Sequence, residues 1–329
     1  MTSCDNELEV AAEWKEIPII YGALNPTSNV NYIRIQRAYL DKNTGALSFS
    51  GIPDSLYFDT LVVSITEILN GVEKNTYSLV RVDGNEIGVP KDSGIFSNEY
   101  NYLYRLNAEL KASSFFNTYE YKLTVFNPLT GHISKSSCLS VGQAEVESPA
   151  SKNTTRLIIS ADSNSKVVGL FQEGIYARSY DMILRMRVEE ISNVDTTDSR
   201  ILELDWIMLS GRRTKSLDGF NQSVNIIPSA NFFSFVSSQL DSTLNVKRRL
   251  LNFDLLTYGI GDDLHTYISV NEPSIGIVQK KPEFTNIENG FGIFSSRHIN
   301  KLSMKGFDRK TREALQISEK TSNLGFVLY

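Results

Sequence analysis

Hydrophobic and polar residues alternate with a period of two along most of this chain, and helical spacing enters only in its second half. In Asn31–Leu40, Ile33, Ile35 and Tyr39 share one face while Tyr32, Arg34 and Gln36 take the other, the pattern of a half-buried strand. A partner strand over Ile17–Ala23 precedes it, separated by Asn25-Pro26, because a residue before proline is pushed out of helical space. Leu61–Leu69 sets Leu61, Val63 and Ile65 on one face, and Thr76–Val82 runs into Asp83-Gly84, a hairpin signal. Asn98–Leu106 aligns Tyr100, Tyr102 and Tyr104. Thr118–Phe126 alternates Tyr119, Tyr121, Leu123 and Val125 against Glu120, Lys122 and Thr124, and a turn at Asn127–Gly131 leads to His132–Val141. Short strands punctuated by turn residues in this way predict an immunoglobulin/transthyretin-like antiparallel sandwich over residues 16–145.

Gly142–Asn153 is polar, holds Pro149 and has no sustained apolar period, so the boundary falls there. Residues 154–329 form a second β-rich domain, a sandwich or barrel, with two or three short helices. Its first strands, Arg156–Ala161 and Val167–Phe171, read as a hairpin around Asp162–Ser165. Tyr180–Glu190 points Tyr180, Met182, Leu184, Met186 and Val188 inward and Asp181, Arg185, Arg187 and Glu189 outward. Its neighbour Arg200–Leu209 turns Leu202, Leu204, Trp206 and Met208 inward, so Glu203 and Asp205 face the two arginines. Ser229–Leu240 has helical spacing, with Ser229 as N-cap after Pro228. Val246–Leu256 returns to strand, Asp262–Asn271 is a helix capped by Asp262, and Gly290–Ile299 is a strand. Asp308–Thr321 is a helix capped by Asp308, and Leu324–Tyr329 is a terminal strand.

Composition narrows the function. The chain has 329 residues, 41% hydrophobic and 22% charged, with a formal net charge of −5. That balance suits a globular protein and argues against a nucleic-acid binder, which needs a basic field. No apolar run approaches the roughly 18 residues of a membrane span. The two cysteines are Cys4 and Cys138. Cys138 reads as a small buried hydrophobe on a strand, and a Cys4–Cys138 disulfide is the competing idea.

Candidate chemistry is sparse. His132, His265 and His298 lie far apart and form no zinc-type pair, so no metal site is expected. Gly259–His265 gathers Asp262, Asp263 and His265. It reads as a helix start whose carboxylates meet free N–H groups, in preference to an ion or acid–base site. Asp41-x-Asn43-x-Gly45 has the opening spacing of a calcium loop without its remaining ligands, and reads as a turn. Glu203 and Asp205 lie about 6.5–7 Å apart along one strand, within a glycosidase range, but the opposing arginines depress both carboxyls. Tyr100, Tyr102 and Tyr104 are a candidate ligand-binding stripe, with burial as the competing reading. Arg212, Arg213 and Lys215, and Lys247-Arg248-Arg249, read as solvated basic clusters. No nucleophile elbow or phosphate-binding glycine loop occurs, so neither a catalytic residue nor a cofactor is expected.

The tail Met1-Thr2-Ser3-Cys4-Asp5-Asn6-Glu7 matches the end of a bacterial lipobox, with Cys4 as the acylated residue, followed by acidic and amide residues as in export tags. Met1-Thr2-Ser3 lacks the charged and apolar regions of a signal peptide, so the expectation is a chain that starts just upstream of its acylation site. A free cysteine near the terminus is the alternative. Three stretches, Glu16–Pro26, Asn31–Leu40 and Phe284–Arg297, bracket nearly the whole chain and resemble a family of Bacteroidetes surface lipoproteins of unknown function. The last stretch is similar to an Asn-Ile-x-x-Gly-x-Gly-x-Phe hallmark near the C-terminus. The resemblance implies an accessory lipoprotein met with TonB-dependent transporters, lipid attachment at Cys4, and no catalytic residues. The expected function is therefore a non-enzymatic, surface-exposed outer-membrane lipoprotein, with residues 1–15 as tail. It would bind a nutrient, a glycan or a transporter protein, with a fimbrial or adhesin subunit as alternative and a carbohydrate-active enzyme ranked below. Membrane contact would be through the lipid alone.

Overall fold

A computed structural model of the protein describes residues 17–38, 56–91, 99–150, 156–195, 197–242, 245–272 and 283–328. Cys4, the 1–15 tail and the Asp41–Gly45 turn lie outside the described residues. The chain is mainly β, as its alternation predicts. Its first half forms β1 (Ile17–Leu24), β2 (Val30–Ala38), β3 (Val62–Leu69), β4 (Val72–Ser78), β5 (Val80–Asp83), β6 (Tyr102–Asn107), β7 (Tyr119–Phe126), β8 (Ile133–Leu139) and β9 (Glu145–Ser148). Next come β10 (Lys166–Gln172), β11 (Ala177–Ser192), β12 (Ser199–Arg213), β13 (Gln222–Pro228) and α1 (Ser229–Gln239). They are followed by β14 (Val246–Gly261), α2 (Asp262–Asn271), β15 (Phe291–Met304) and α3 (Arg309–Ile317).

One eight-stranded sheet, in the order β12-β11-β14-β15-β1-β2-β6-β5, runs through both halves of the chain. It is continuous because β15 serves two partners in succession. Residues Phe291–Ser296 pair in parallel with Ile19–Leu24 of β1, and Arg297–Met304 pair antiparallel with Phe253–Ile260 of β14. A four-stranded sheet, β4-β3-β7-β8, covers the β15-β1-β2-β6-β5 part. A three-stranded sheet, β13-β10-β9, together with α1 and α3, closes the remainder. Two cores result. One joins Ile20, Ile33, Val63, Tyr121 and Leu123 to Ile287 and Phe294 from the C-terminal stretch. The other joins Met182, Leu184, Trp206, Phe232, Phe253 and Phe307.

The predicted alternation of β11 and β12 is realised, with Tyr180, Met182, Leu184, Met186 and Val188 all buried. On their outer face Arg185 makes a two-pronged bond to Asp205 at 2.7 Å, and Arg187 bonds Glu203 at 2.9 Å. Arg187 also reaches Asp254 on β14 at 2.7 Å, and Lys301 on β15 completes the row at 3.3 Å. The hydrogen bond from Arg185 holds the Asp205 carboxyl below its ordinary value. Burial opposes the charge on Asp254, but bonds from Ser303, Arg187 and Lys301 outweigh it and lower that carboxyl too.

Several local expectations need correction. Arg156–Ala161 is not a strand: it makes only one bridge, Leu157 to Phe307, and β10 pairs instead with β13 and β9. Pro228, not Ser229, occupies the N-cap of α1, and the Ser229 hydroxyl bonds Ser165. The terminal stretch makes a single bridge, Phe326 to Arg248, in place of a strand. Arg248 is not solvated. Its guanidinium is buried against Glu190 at 2.6 Å and donates to the Leu324 carbonyl, which ties down the C-terminal stretch. Burial works against the Glu190 charge, yet the bonds from Arg248 and Arg200 keep its carboxyl lowered. Asp308 does cap α3, accepting from the Lys310 N–H.

One glycine of β15 and one in the loop after β5 together test how firmly β15 is held. Gly292 has φ +102°, and a Cβ there would lie 2.0 Å from the Ile20 carbonyl oxygen. Gly88 has φ +76° with nothing within 4 Å. Gly88→Ala is therefore expected to cost about 1 kcal/mol and Gly292→Ala at least about 3 kcal/mol in urea unfolding, because only the second adds a backbone clash to the strain. Equal costs would mean that β1 and β15 are not in close register.

His298 lies between Ser296 and Asn300 on one face of β15, its Nδ1 buried without a hydrogen-bond partner. Burial lowers its pKa from 6.5 to about 4. The native state thus resists a proton that the unfolded chain accepts, so stability falls as pH drops from about 6.5 to about 4. The loss relative to His298→Gln should approach about 3 kcal/mol at the lower limit. Parallel stability curves for the two proteins would show that His298 is not sealed from water.

Candidate functional site

The junction of the two sandwiches opens into a cleft of about 450 Å³. Its walls come from four places that β15 brings together. The β7–β8 side gives Glu120, Ser137, Cys138 and Leu139; the loops before β11 and β13 give Tyr176 and Leu217. The start of α2 gives Gly261, Asp262 and Asp263, and β15 itself gives Ser295.

Local sequence explains each wall. β8 is inside out: Ser134, Ser136 and Cys138 face the core while Ile133 and Leu139 are exposed. The inversion holds because Ser134 donates to the Asn289 carbonyl at 2.9 Å and Ser136 to that of Asn286 at 2.8 Å. Ser296 fixes the next stretch, donating to the Leu139 carbonyl at 2.6 Å and accepting from the Val141 N–H at 2.9 Å. Tyr176 has φ +63°, a left-handed backbone that costs a bulky residue about 1–3 kcal/mol. It is held there by its N–H to the Leu217 carbonyl at 2.8 Å and its hydroxyl against Thr118 at 2.9 Å.

The Gly259–His265 cluster meets this cleft, though not as a cap. Gly261 is the N-cap of α2, and no side chain caps the helix. Asp262 instead pairs with Arg178 at 2.5 Å, Asp263 accepts from Asn286 at 2.9 Å, and the His265 ring meets the Ser179 hydroxyl at 3.2 Å. The three side chains thus serve three different partners and form no acid–base pair. Burial, then the charge of Arg213, lowers the His265 pKa and favours its neutral form.

The tyrosine stripe lies elsewhere, at the β5–β6 edge. Tyr104 is buried, while Tyr100 and Tyr102 are half-buried and stacked at 5.2 Å. The Arg81 guanidinium lies 3.8 Å above the Tyr102 ring and Tyr57 meets it edge-on, so little of that ring is open to a ligand. His132 contacts the Asn289 carbonyl at 2.8 Å and contributes to the junction. Among the described residues no group of three or more His, Cys, Asp or Glu is placed to hold a metal.

Sequence reasoning passed over three exposed phenylalanines in the loops that carry Thr118 and Leu217. Phe115, Phe116 and Phe220 are 55%, 88% and 73% exposed, and Phe115 stacks on Phe220 at 4.8 Å. They belong to the loops that pin Tyr176 through Thr118 and Leu217. A signal was present, since Ser113-Ser114-Phe115-Phe116-Asn117 and Asp218-Gly219-Phe220-Asn221 put phenylalanine where turn chemistry needs none. Compared with known protein families and with curated proteins, the chain matches none.

Cys138 borders the cleft yet is only 6% exposed, and its thiol is free. Burial first, then the charges of Asp263 and Glu120, push its pKa well up, so it stays protonated at neutral pH. In a Cys4→Ser background, a disulfide reagent is expected to label Cys138 at least about a hundredfold more slowly in the native protein than in urea, because only the thiolate attacks. Rapid native labelling would show that the thiol is open to the cleft.

Proposed function

We propose that this protein is a non-enzymatic, lipid-anchored binding protein of the cell envelope, which holds its ligand in the cleft between the two sandwiches. The observation that carries this reading is the cleft itself. Its volume of about 450 Å³ lies in the range of ligand sites, and its walls are joined by hydrogen bonds from both halves of the chain.

The chemistry of the lining favours binding over catalysis. A glycosidase needs two carboxyls whose environments push their pKa values apart across a substrate groove. Among the described residues Glu173 and Asp218 come nearest to that pattern. Burial raises Glu173, and bonds from the Phe220 N–H and Ser216 lower Asp218. Glu173, however, is 5% exposed and bonded to Ser223 at 2.7 Å, and neither carboxyl lines the cleft. Glu203 and Asp205 are committed to arginines.

Thr2-Ser3-Cys4 and the resemblance to Bacteroidetes surface lipoproteins support the anchor and the outer-membrane location. Among the described residues no helix is long and apolar enough to cross a membrane. A nutrient, a glycan and an outer-membrane transporter protein are the ligand classes this reading admits.

The test uses the full-length precursor in its native host, wild type beside Cys4→Ala, each with a photo-crosslinking residue at Leu217. Wild type should incorporate acyl chain, be shaved by protease from intact cells, and crosslink to an envelope component; Cys4→Ala should lose acylation and surface exposure. An unmodified Cys4 would remove the tether, and absence of any crosslink from the cleft would remove the binding site.

A further inference from the structure

We infer that the cleft receives a lysine or arginine side chain from an apolar segment of a partner protein, whose neighbouring residues cover the exposed phenylalanines. This names the ligand chemistry of the cleft and rests on the binding-protein reading above.

Charge comes first. Three carboxylates line the cleft, and only Asp262 has a cationic partner, Arg178. Among the described residues Glu120 and Asp263 have no ion pair, and both lie near enough to the Cys138 thiol to disfavour its ionisation. A buried polar group in the same wall is also open to a ligand. Ser295 is 2% exposed, lines the cleft, and its hydroxyl has no hydrogen-bond partner among the described residues. An ammonium or guanidinium supplies several donors and no acceptor, which suits two carboxylates and a hydroxyl.

The exposed phenylalanines on the adjoining loops argue for a polypeptide. Phe116 at 88% exposure and the Phe115–Phe220 stack form an apolar ridge anchored on the two loops that fix Tyr176 at the cleft. Adjacent exposed aromatics mark contact surfaces, and aromatic side chains are enriched in the buried centres of interfaces. A basic residue flanked by apolar ones fills the cleft and covers the ridge at once; a small amine reaches only the cleft.

The test uses the purified chain and a fluorescein-labelled peptide with one central lysine among leucine and phenylalanine, beside versions carrying norleucine or glutamate at the centre. The lysine peptide should bind at least about tenfold more tightly than either, and Glu120→Gln should remove most of that difference and flatten the salt dependence. Asp263→Asn should act in the same direction, with far-ultraviolet circular dichroism confirming its fold. Phe116→Ser and Phe220→Ser should each weaken binding severalfold while leaving the salt dependence unchanged. Equal binding of the three peptides, or indifference to Glu120→Gln, overturns the inference. So does displacement by n-butylamine with no effect of the phenylalanine variants, which reassigns the cleft to a small amine. If a glycan or neutral peptide crosslinks at Leu217 while the lysine peptide does not bind, this inference fails and the binding-protein reading survives. With no ligand at Leu217, both fail.

Discussion

The parallel pairing of β1 with the first half of β15 is the constraint on which the molecule depends. It joins the chain's first described strand to its last, so neither sandwich is complete until almost the whole sequence is in place. The pairing is tight enough that position 292 must be glycine, since the Ile20 carbonyl occupies the space of a side chain. From that seam the other features follow. Residues 286–289 lie against β8 and satisfy its inward serines, and Ser296 and Asn300 hold the crossing chain at Leu139, Val141 and Ala144. The proposed boundary at 142–153 is thus bridged by the sheet and by the hydrogen bonds of β15.

What the sequence made legible is what local alternation encodes. β7, β11 and β12 each bury one face and solvate the other, and the arginine–carboxylate rungs follow from which residues are left outside. Helix positions were legible too, α2 to the residue. The seam was not, because a parallel pair between residues 19–24 and 291–296 leaves no local trace. Glycines at 290 and 292 permit a close backbone approach but do not name the partner. The inverted β8 was hidden for the same reason: Ser134 and Ser136 are core residues only where a distant backbone accepts from them. Capping misled at Asp262, since Arg178, far away in sequence and adjacent in the sheet, competes for the carboxylate and wins through opposite charge.

The site was half legible. Asp262 and Asp263 stood out as chemistry-bearing residues, but the wall opposite them, with Glu120 and Ser137, reads as an ordinary strand surface until the fold brings it across. The phenylalanines at 115, 116 and 220 were visible as residues but not as a group. Phe115 and Phe220 are joined only by the closure of two loops from different sandwiches.

The seam also bears on the proposed binding function. Subunits that assemble by strand exchange must release or accept a strand at an open sheet edge. Here β1 is hydrogen-bonded on both sides, by β2 and β15, and β15 pairs with both β1 and β14, so freeing either would split the eight-stranded sheet. The edges that remain are β5 and β12 in the large sheet. The β12 edge carries Glu203 and Asp205, already fixed by Arg187 and Arg185, and charged side chains of this kind discourage further strand pairing. A fold locked through its middle and charged along that edge favours recognition by side chains at a fixed cleft over polymerisation through the backbone. The strained Tyr176, braced by loops from both sandwiches, fits the same proposal, because a ligand in the proposed cleft would meet walls whose positions were set during folding.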